Sequence, residues 1–174
     1  MGKMEVIPIS NVQAAVSTVE WQTRIHLAAC YRLMAAYGMT DLIYNHISAR
    51  IPGAAEHYLI NPYGMLYEEI TASSLVKIDV DGSTILQPDH GYNVNVAGFY
   101  LHAPIQKTRP DLQCIIHTHS RAGTAVSGLR EGCCRCRRRR CAFSAASAIT
   151  ISKGRRSAGR SATASPLTLA PTTS

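Results

Sequence analysis

The feature that most tightly bounds what this 174-residue chain can fold into is a break in composition at residue 133. Residues 1–132 carry nine Lys and Arg, all eleven acidic residues and all seven histidines, for a net charge of −2. Residues 133–174 carry nine Lys and Arg and no acid, a net charge of +9, with Phe143 as their single aromatic. Four of the six cysteines crowd between Cys133 and Cys141, and Ser157–Ser174 is low in complexity. Such a stretch cannot bury enough apolar surface to offset the entropy of ordering it. The foldable part is therefore residues 1–132, which is room for one hydrophobic core, and the tail 133–174 is expected to be disordered. The basic balance belongs to the tail alone, so the chain as a whole does not read as a nucleic-acid binder. Arg137–Arg140 could grip phosphates, but no aromatic platform accompanies them for stacking bases. The tail cysteines lack the paired spacing of a zinc knot.

Within the foldable part, residues 1–20 have no strong period and read as a leader. Trp21, Ile25, Ala28, Ala29, Leu33 and Ala36 then recur at helical spacing from about Glu20 to Tyr37, and Gly38 is placed to end that helix. Ile47, Ala49 and Ile51 alternate as on a half-buried strand, Pro52-Gly53 turns, and His57–Ile60 returns as the second strand of a hairpin. Asn61-Pro62-Tyr63-Gly64 is a turn, and Glu69–Leu75 holds a short helical turn. Val76–Val80 and Thr84–Leu86 flank the hairpin signal Asp81-Gly82. Asn93–Thr108 reads as a helix interrupted at Pro104, Cys114–Thr118 as a strand, and Ser120–Ser127 as a small-residue helix. Hairpins between helices predict a mixed, partly antiparallel sheet with helices on both faces. No run of eighteen apolar residues exists to span a membrane. Met1–Ser10 lacks the apolar stretch of a secretory signal, so the cytoplasm is the expected location.

His117-Thr118-His119 is the sharpest candidate for chemistry. On a strand, alternate side chains share a face, which sets the two imidazoles roughly 6–7 Å apart at Cα and lets them converge on one divalent ion, zinc above all. The competing reading is a hydrogen-bonded histidine pair near a sheet edge. Asn45-His46-Ile47-Ser48 and Asn61–Gly64 could line a pocket with an amide side chain and backbone N–H groups, or could be plain turn chemistry. Glu68-Glu69 offers an acid or base, or a helix cap. His102 reads as a structural histidine within a helix. Cys30 and Cys114 sit in apolar contexts and read as reduced core thiols.

Ile25–Tyr37, Leu42–Arg50, Tyr58–Tyr67, Glu69–Asp79, Ala97-Gly98-Phe99, His102, Arg109-Pro110-Asp111 and Ile116–His119 together resemble the class II aldolase/adducin family. The adducin-like branch fits better than the sugar-phosphate aldolases, and the resemblance runs over residues 21–132. It implies an α/β/α sandwich around a mixed, mostly antiparallel sheet and, in the intact family, a homo-oligomer. It also implies zinc held by the histidine pair, here His117 and His119, and by a later histidine. In the enzymes that zinc polarises a carbonyl for retro-aldol cleavage or epimerisation of a small carbonyl or sugar substrate. The aldolases carry an acid/base carboxylate four positions before the match to His102, where this chain has Gly98. At the positions of their phosphate loop it offers Tyr63, Val96 and Ala97, leaving Asn45 and Gly64 as the substrate-binding residues. By the same resemblance, actin is the partner of the adducins.

The family pattern stops near Gly132. If Cys133–Arg137 are encoded TGC TGC CGC TGT CGC, the same bases with a C restored in front read Leu-Leu-Pro-Leu-Ser, a segment of the family's kind. The tail is therefore expected to derive from a one-base frameshift. A domain truncated in this way lacks the third zinc ligand and the last strands of its sheet, and the expectation is weak zinc binding and no aldolase activity.

Overall fold

The computed structural model describes residues 4–53, 56–127 and 147–149. Seven strands make one mixed sheet: β1 (Glu5–Ile7), β2 (His46–Arg50), β3 (His57–Ile60), β4 (Val76–Asp79), β5 (Thr84–Pro88), β6 (Cys114–His117) and β7 (Ser147–Ile149). Their spatial order is β1-β5-β4-β3-β2-β6-β7, with the four central pairings antiparallel and the two outer ones, β1–β5 and β6–β7, parallel. Four α-helices accompany them: α1 (Val12–Ala15), α2 (Thr18–Ala36), α3 (Val96–Thr108) and α4 (Arg121–Ser127).

Alternation along the central strands makes two cores. Ile47 and Ala49 of β2 and Leu59 of β3 face α2, where they pack with Leu27, Ala28 and Tyr31. Tyr58 and Ile60 of β3, with Val76 and Ile78 of β4, face the other way and pack with Phe99 of α3. The result is the expected α/β/α sandwich.

The long helix starts and stops on side-chain and backbone caps. Ser17 Oγ accepts the Glu20 N–H at 3.2 Å. At the far end, Gly38 takes φ +63°, and the Gly38 and Met39 N–H groups donate to Ala35 O and Met34 O, each at 2.9 Å. The buried stripe differs from the apolar period in the sequence. Glu20, Arg24, Leu27, Ala28 and Tyr31 are buried, whereas Ile25 and Leu33 are exposed. The reason is electrostatic: Glu20 bridges Arg24 and Lys77, while Arg24 Nη1 donates to Leu75 O at 2.7 Å, so charged residues occupy the inner face.

The first twenty residues are also more than a leader. β1 pairs with β5, and Ile7 and Val12 join Leu86 in a third small cluster against Trp21. Of the tail, three residues are placed, as β7 beside β6. The rest of 133–174, including the cysteine and arginine cluster, lies outside the described residues.

Candidate metal centre

Because β2 and β6 are antiparallel with His46 opposite His117, the face that carries His117 also carries His46 and Ser48. β6 ends at His117, so His119 lies just past the strand and not on it. The two side chains nevertheless meet, with His117 Nε2 and His119 Nε2 2.8 Å apart and the rings edge to face. His119 is oriented from behind, its Nδ1 lying 2.8 Å from Asp41 Oδ2. A carboxylate only accepts, so His119 donates to Asp41 through Nδ1, which leaves its Nε2 as the atom turned toward His117. Asp41 in turn is held by Asn45, whose side-chain oxygen accepts the Asp41 N–H.

Two imidazole nitrogens on one tetrahedral zinc stand about 3.3 Å apart at metal–nitrogen distances of about 2.0 Å. The observed pair needs to part by only about half an ångström to fit. The carboxylate behind His119 is the usual device for fixing a ligating imidazole. The residues present thus fit two positions of a zinc site. Among the described residues no third His, Cys, Asp or Glu joins them.

A column of imidazoles extends inward from this pair. His46 stacks on His117 with ring centroids 4.7 Å apart, and His102 of α3 tilts against His46 at 4.5 Å. Both are buried. Desolvation first, and then the His117 and His119 imidazoles, push His46 down to about 3. Desolvation first, and then His46 and His117, push His102 down to about 2. Both are neutral at physiological pH. Ser48 Oγ and His102 Nδ1 share a hydrogen bond at 2.7 Å, and Gln106 Nε2 donates to the same Ser48 oxygen at 3.4 Å.

Room for this column comes from Gly98. A Cβ there would lie 2.6 Å from His46 Cγ and 3.0 Å from His46 Cβ. His46 thus occupies the space next to the position where the resemblance to the aldolases implies a carboxylate. Asn95 caps α3, its Oδ1 accepting the Gly98 N–H at 3.0 Å.

The other sequence candidates fall elsewhere. Asn45 is fully buried beneath the Asp41 loop, its oxygen engaged with the Asp41 backbone. Gly64 has φ +108° and lies under Tyr92, whose ring a Cβ would meet at 2.9 Å. Glu69 caps the short 3-10 turn Tyr67–Glu69, accepting the Leu66 N–H at 2.8 Å, which is the structural role. Cys30 and Cys114 are free thiols, both raised by burial, Cys114 to about 12. Sequence reasoning missed Asp41, and met His46 only as part of a polar stretch that could line a pocket. The alternation of His46 with Ile47 was the available signal, since it puts His46 on the face opposite the apolar core.

Comparison with known proteins bears on the family and the fold. The family described as Class II Aldolase and Adducin N-terminal domain matches residues 25–164, so its far end runs beyond Gly132 into the tail. A Pseudomonas aeruginosa protein described as a class 2 aldolase is 51% identical over 123 residues, covering 71% of this chain and 46% of its own. Rat alpha-adducin is 44% identical over 131 residues, covering 73% of this chain and 18% of its own. The crystal structure of an aldolase II superfamily protein from Pseudomonas syringae superposes with a TM-score of 0.66 at 50% identity, covering 70% of this chain and 48% of that one. The chain spans about half the length of the bacterial relatives that it matches. With the family matched over most of its length and the sandwich in place, the chain belongs to the class II aldolase/adducin family.

Proposed function

We propose that the chain carries part of a zinc-dependent site of the class II aldolase kind, with His117 and His119 as two of the ligands and a small carbonyl or sugar compound as the substrate class. What supports this is the convergence of the two Nε2 atoms at 2.8 Å, with Asp41 behind His119. The chemistry supplied by such a metal is Lewis-acid polarisation of a carbonyl. The chain's own contribution is to aim the lone pairs: Asp41 fixes one ring by its hydrogen bond, and His46 backs the other by stacking. Gly98 offers no group to move a proton, and no third ligand stands among the described residues. The 174-residue chain by itself is therefore proposed to bind zinc weakly and to turn over no substrate. In this reading Asn45 and Gly64 assist binding, and the protein works in the cytoplasm as a homo-oligomer.

Zinc titration of the whole chain tests the reading. Weak binding that disappears in His117→Ala and drops about tenfold or more in Asp41→Asn is expected, as for loss of a ligand and of its orienting carboxylate. Binding unchanged in His117→Ala, or zinc-dependent retro-aldol cleavage at ordinary enzyme rates, overturns it. The frameshift origin of residues 133–174 is decided by the DNA across the codons for Gly128 to Cys141.

The identity to rat alpha-adducin favours a second reading, an actin-associated binding protein. Co-sedimentation with actin filaments at physiological salt separates the two, because electrostatic sticking of a basic tail fades as salt screens it.

A further inference from the structure

Strands β2 and β3 pair antiparallel through Arg50↔Tyr58, Ala49↔Leu59 and Ser48↔Ile60. Ile51 N–H donates to His57 O at 2.9 Å, and in an antiparallel ladder directly bonded pairs recur at every second position. Ala49 and Leu59 are the next such position, and Ile47 and Asn61 should therefore form the bonded pair after it. They do not. Ile47 N–H and Asn61 N–H donate instead to the hydroxyl of Tyr31, at 2.9 and 3.2 Å. The Tyr31 proton lies between two acceptors, Ile47 O and the Asn61 Oδ1 at 3.0 Å. A side chain from α2 has been inserted where a rung of the sheet belongs.

The strands part at that point. β2 runs on to His46, which pairs across to His117 of β6. The chain after β3 turns away through Asn61, and Pro62 bridges to Val94 ahead of α3. Closing the rung would satisfy the same backbone groups, so hydrogen bonding alone does not call for the tyrosine. What the insertion changes is the path of the segment next to His46. Tyr31 is fully buried and braced edge to face on Tyr67 at 4.6 Å, so the hydroxyl is delivered on a rigid mount.

We propose that Tyr31 is a positioning residue for the histidine site: its buried hydroxyl, standing in for the Ile47–Asn61 rung, holds β2 and β3 apart and keeps His46 stacked on His117. This rests on the metal-site reading for its consequence, though not for the wedge itself.

The test compares Tyr31→Phe with Tyr67→Phe in the full chain. Tyr67 shares the same core, but its hydroxyl has no hydrogen-bond partner among the described residues, so Tyr67→Phe controls for loss of a buried hydroxyl. In the metal-free proteins, the imidazole NMR signals of His46 and His117 should move in Tyr31→Phe and stay in place in Tyr67→Phe. Zinc affinity should fall about tenfold or more in Tyr31→Phe alone, the usual scale for losing a group that orients ligands. Unmoved imidazole signals in a folded Tyr31→Phe overturn the proposal. Should that variant not fold, the unmodified chain still decides: a through-hydrogen-bond coupling between Ile47 N and the Asn61 carbonyl carbon means that the rung is closed and the wedge is wrong, and its absence supports the wedge. If the unmodified chain binds no zinc while the imidazole signals move as stated, the metal reading fails and the positioning role stands.

Discussion

Replacing Gly98 with alanine ought to stabilise an ordinary helix, and here it should do the reverse. In a helix interior the exchange gains up to about 1 kcal/mol from backbone propensity. At position 98 the new methyl carbon would sit 2.6 Å from His46 Cγ, 2.8 Å from Cδ2 and 3.0 Å from Cβ. These atoms lie near the backbone of His46, so a rotamer change at the far end of the side chain does not relieve the contact. The ring cannot back away either, being buried between His102 and His117 with centroids 4.5 and 4.7 Å off. Overpacking of this kind costs roughly 1–3 kcal/mol, and the middle of that range, about 2 kcal/mol, leaves a net loss of about 1 kcal/mol once the propensity gain is taken off. In a His46→Ala background the obstacle is gone, and Gly98→Ala should become stabilising by up to about 1 kcal/mol. The cycle therefore carries a coupling of about 2 kcal/mol, the overpacking cost itself, which is within the range for residues in contact. Urea unfolding followed by Trp21 fluorescence reads it, with a midpoint shift of about 0.5 M for a slope of about 2 kcal/mol/M. If Gly98→Ala is as stable as the parent when His46 is present, the steric account of this glycine is wrong.

Acid should destabilise the chain through His102, whose neutral form the fold favours. Its folded value lies far below the ordinary 6.5, so the contribution is fully present above pH 6.5. It is lost as pH falls toward about 2, because over that span only the unfolded chain takes up the proton. The slope is about 1.4 kcal/mol per pH unit, or about 2 kcal/mol between pH 7 and pH 5. Stability curves of the parent and of His102→Gln should differ by that slope, and parallel curves would refute it. Separately, Glu20→Gln leaves Arg24 fully buried without its carboxylate, so it should cost about 3–5 kcal/mol. A loss below 1 kcal/mol in chemical denaturation would mean that Glu20 and Arg24 are not the paired inner face of α2.

The sequence made the architecture readable where side-chain period and burial coincide. Ile47, Ala49 and Ile51 alternate and do line one core, and Gly38 does cap α2. It misled where polar residues are buried. The inner face of α2 contains Glu20, Arg24 and Tyr31, so apolar spacing chose a stripe that leaves Ile25 and Leu33 in solvent. β1 escaped notice because three residues pairing at a sheet edge carry no period of their own; only contact with β5 fixes them. The site was half legible. His117 and His119 stand out by spacing, but His46 and Asp41 reach them through the β2–β6 register and a loop, which are tertiary facts. Gly98 was visible as a missing carboxylate, and the imidazole that takes up its space was not.

The face of the sheet toward α3 explains why these residues are worth testing together. The opposite face is filled with Ile47, Ala49 and Leu59. Beside Tyr58, Ile60, Val76 and Ile78, this one carries His46, Ser48 and His117, with His102 and Gln106 of α3 laid against them, all five polar residues buried. A chain shaped by packing alone would gain by filling that seam with apolar groups, since each buried polar group left without a partner costs about 1–3 kcal/mol. Removing one partner should therefore hurt more than removing both. Ser48→Ala alone leaves His102 Nδ1 without its partner, and His102→Leu alone leaves the Ser48 hydroxyl with only the 3.4 Å bond from Gln106, each losing about 1–3 kcal/mol. The double variant Ser48→Ala/His102→Leu should recover to within about 1 kcal/mol of the parent, because apolar replacement of a whole pair is close to neutral. A double variant as damaged as the two single losses added together would mean that the Ser48–His102 pair is needed for packing itself. The seam would then be part of what holds the sandwich together, and its polarity would no longer point to a site.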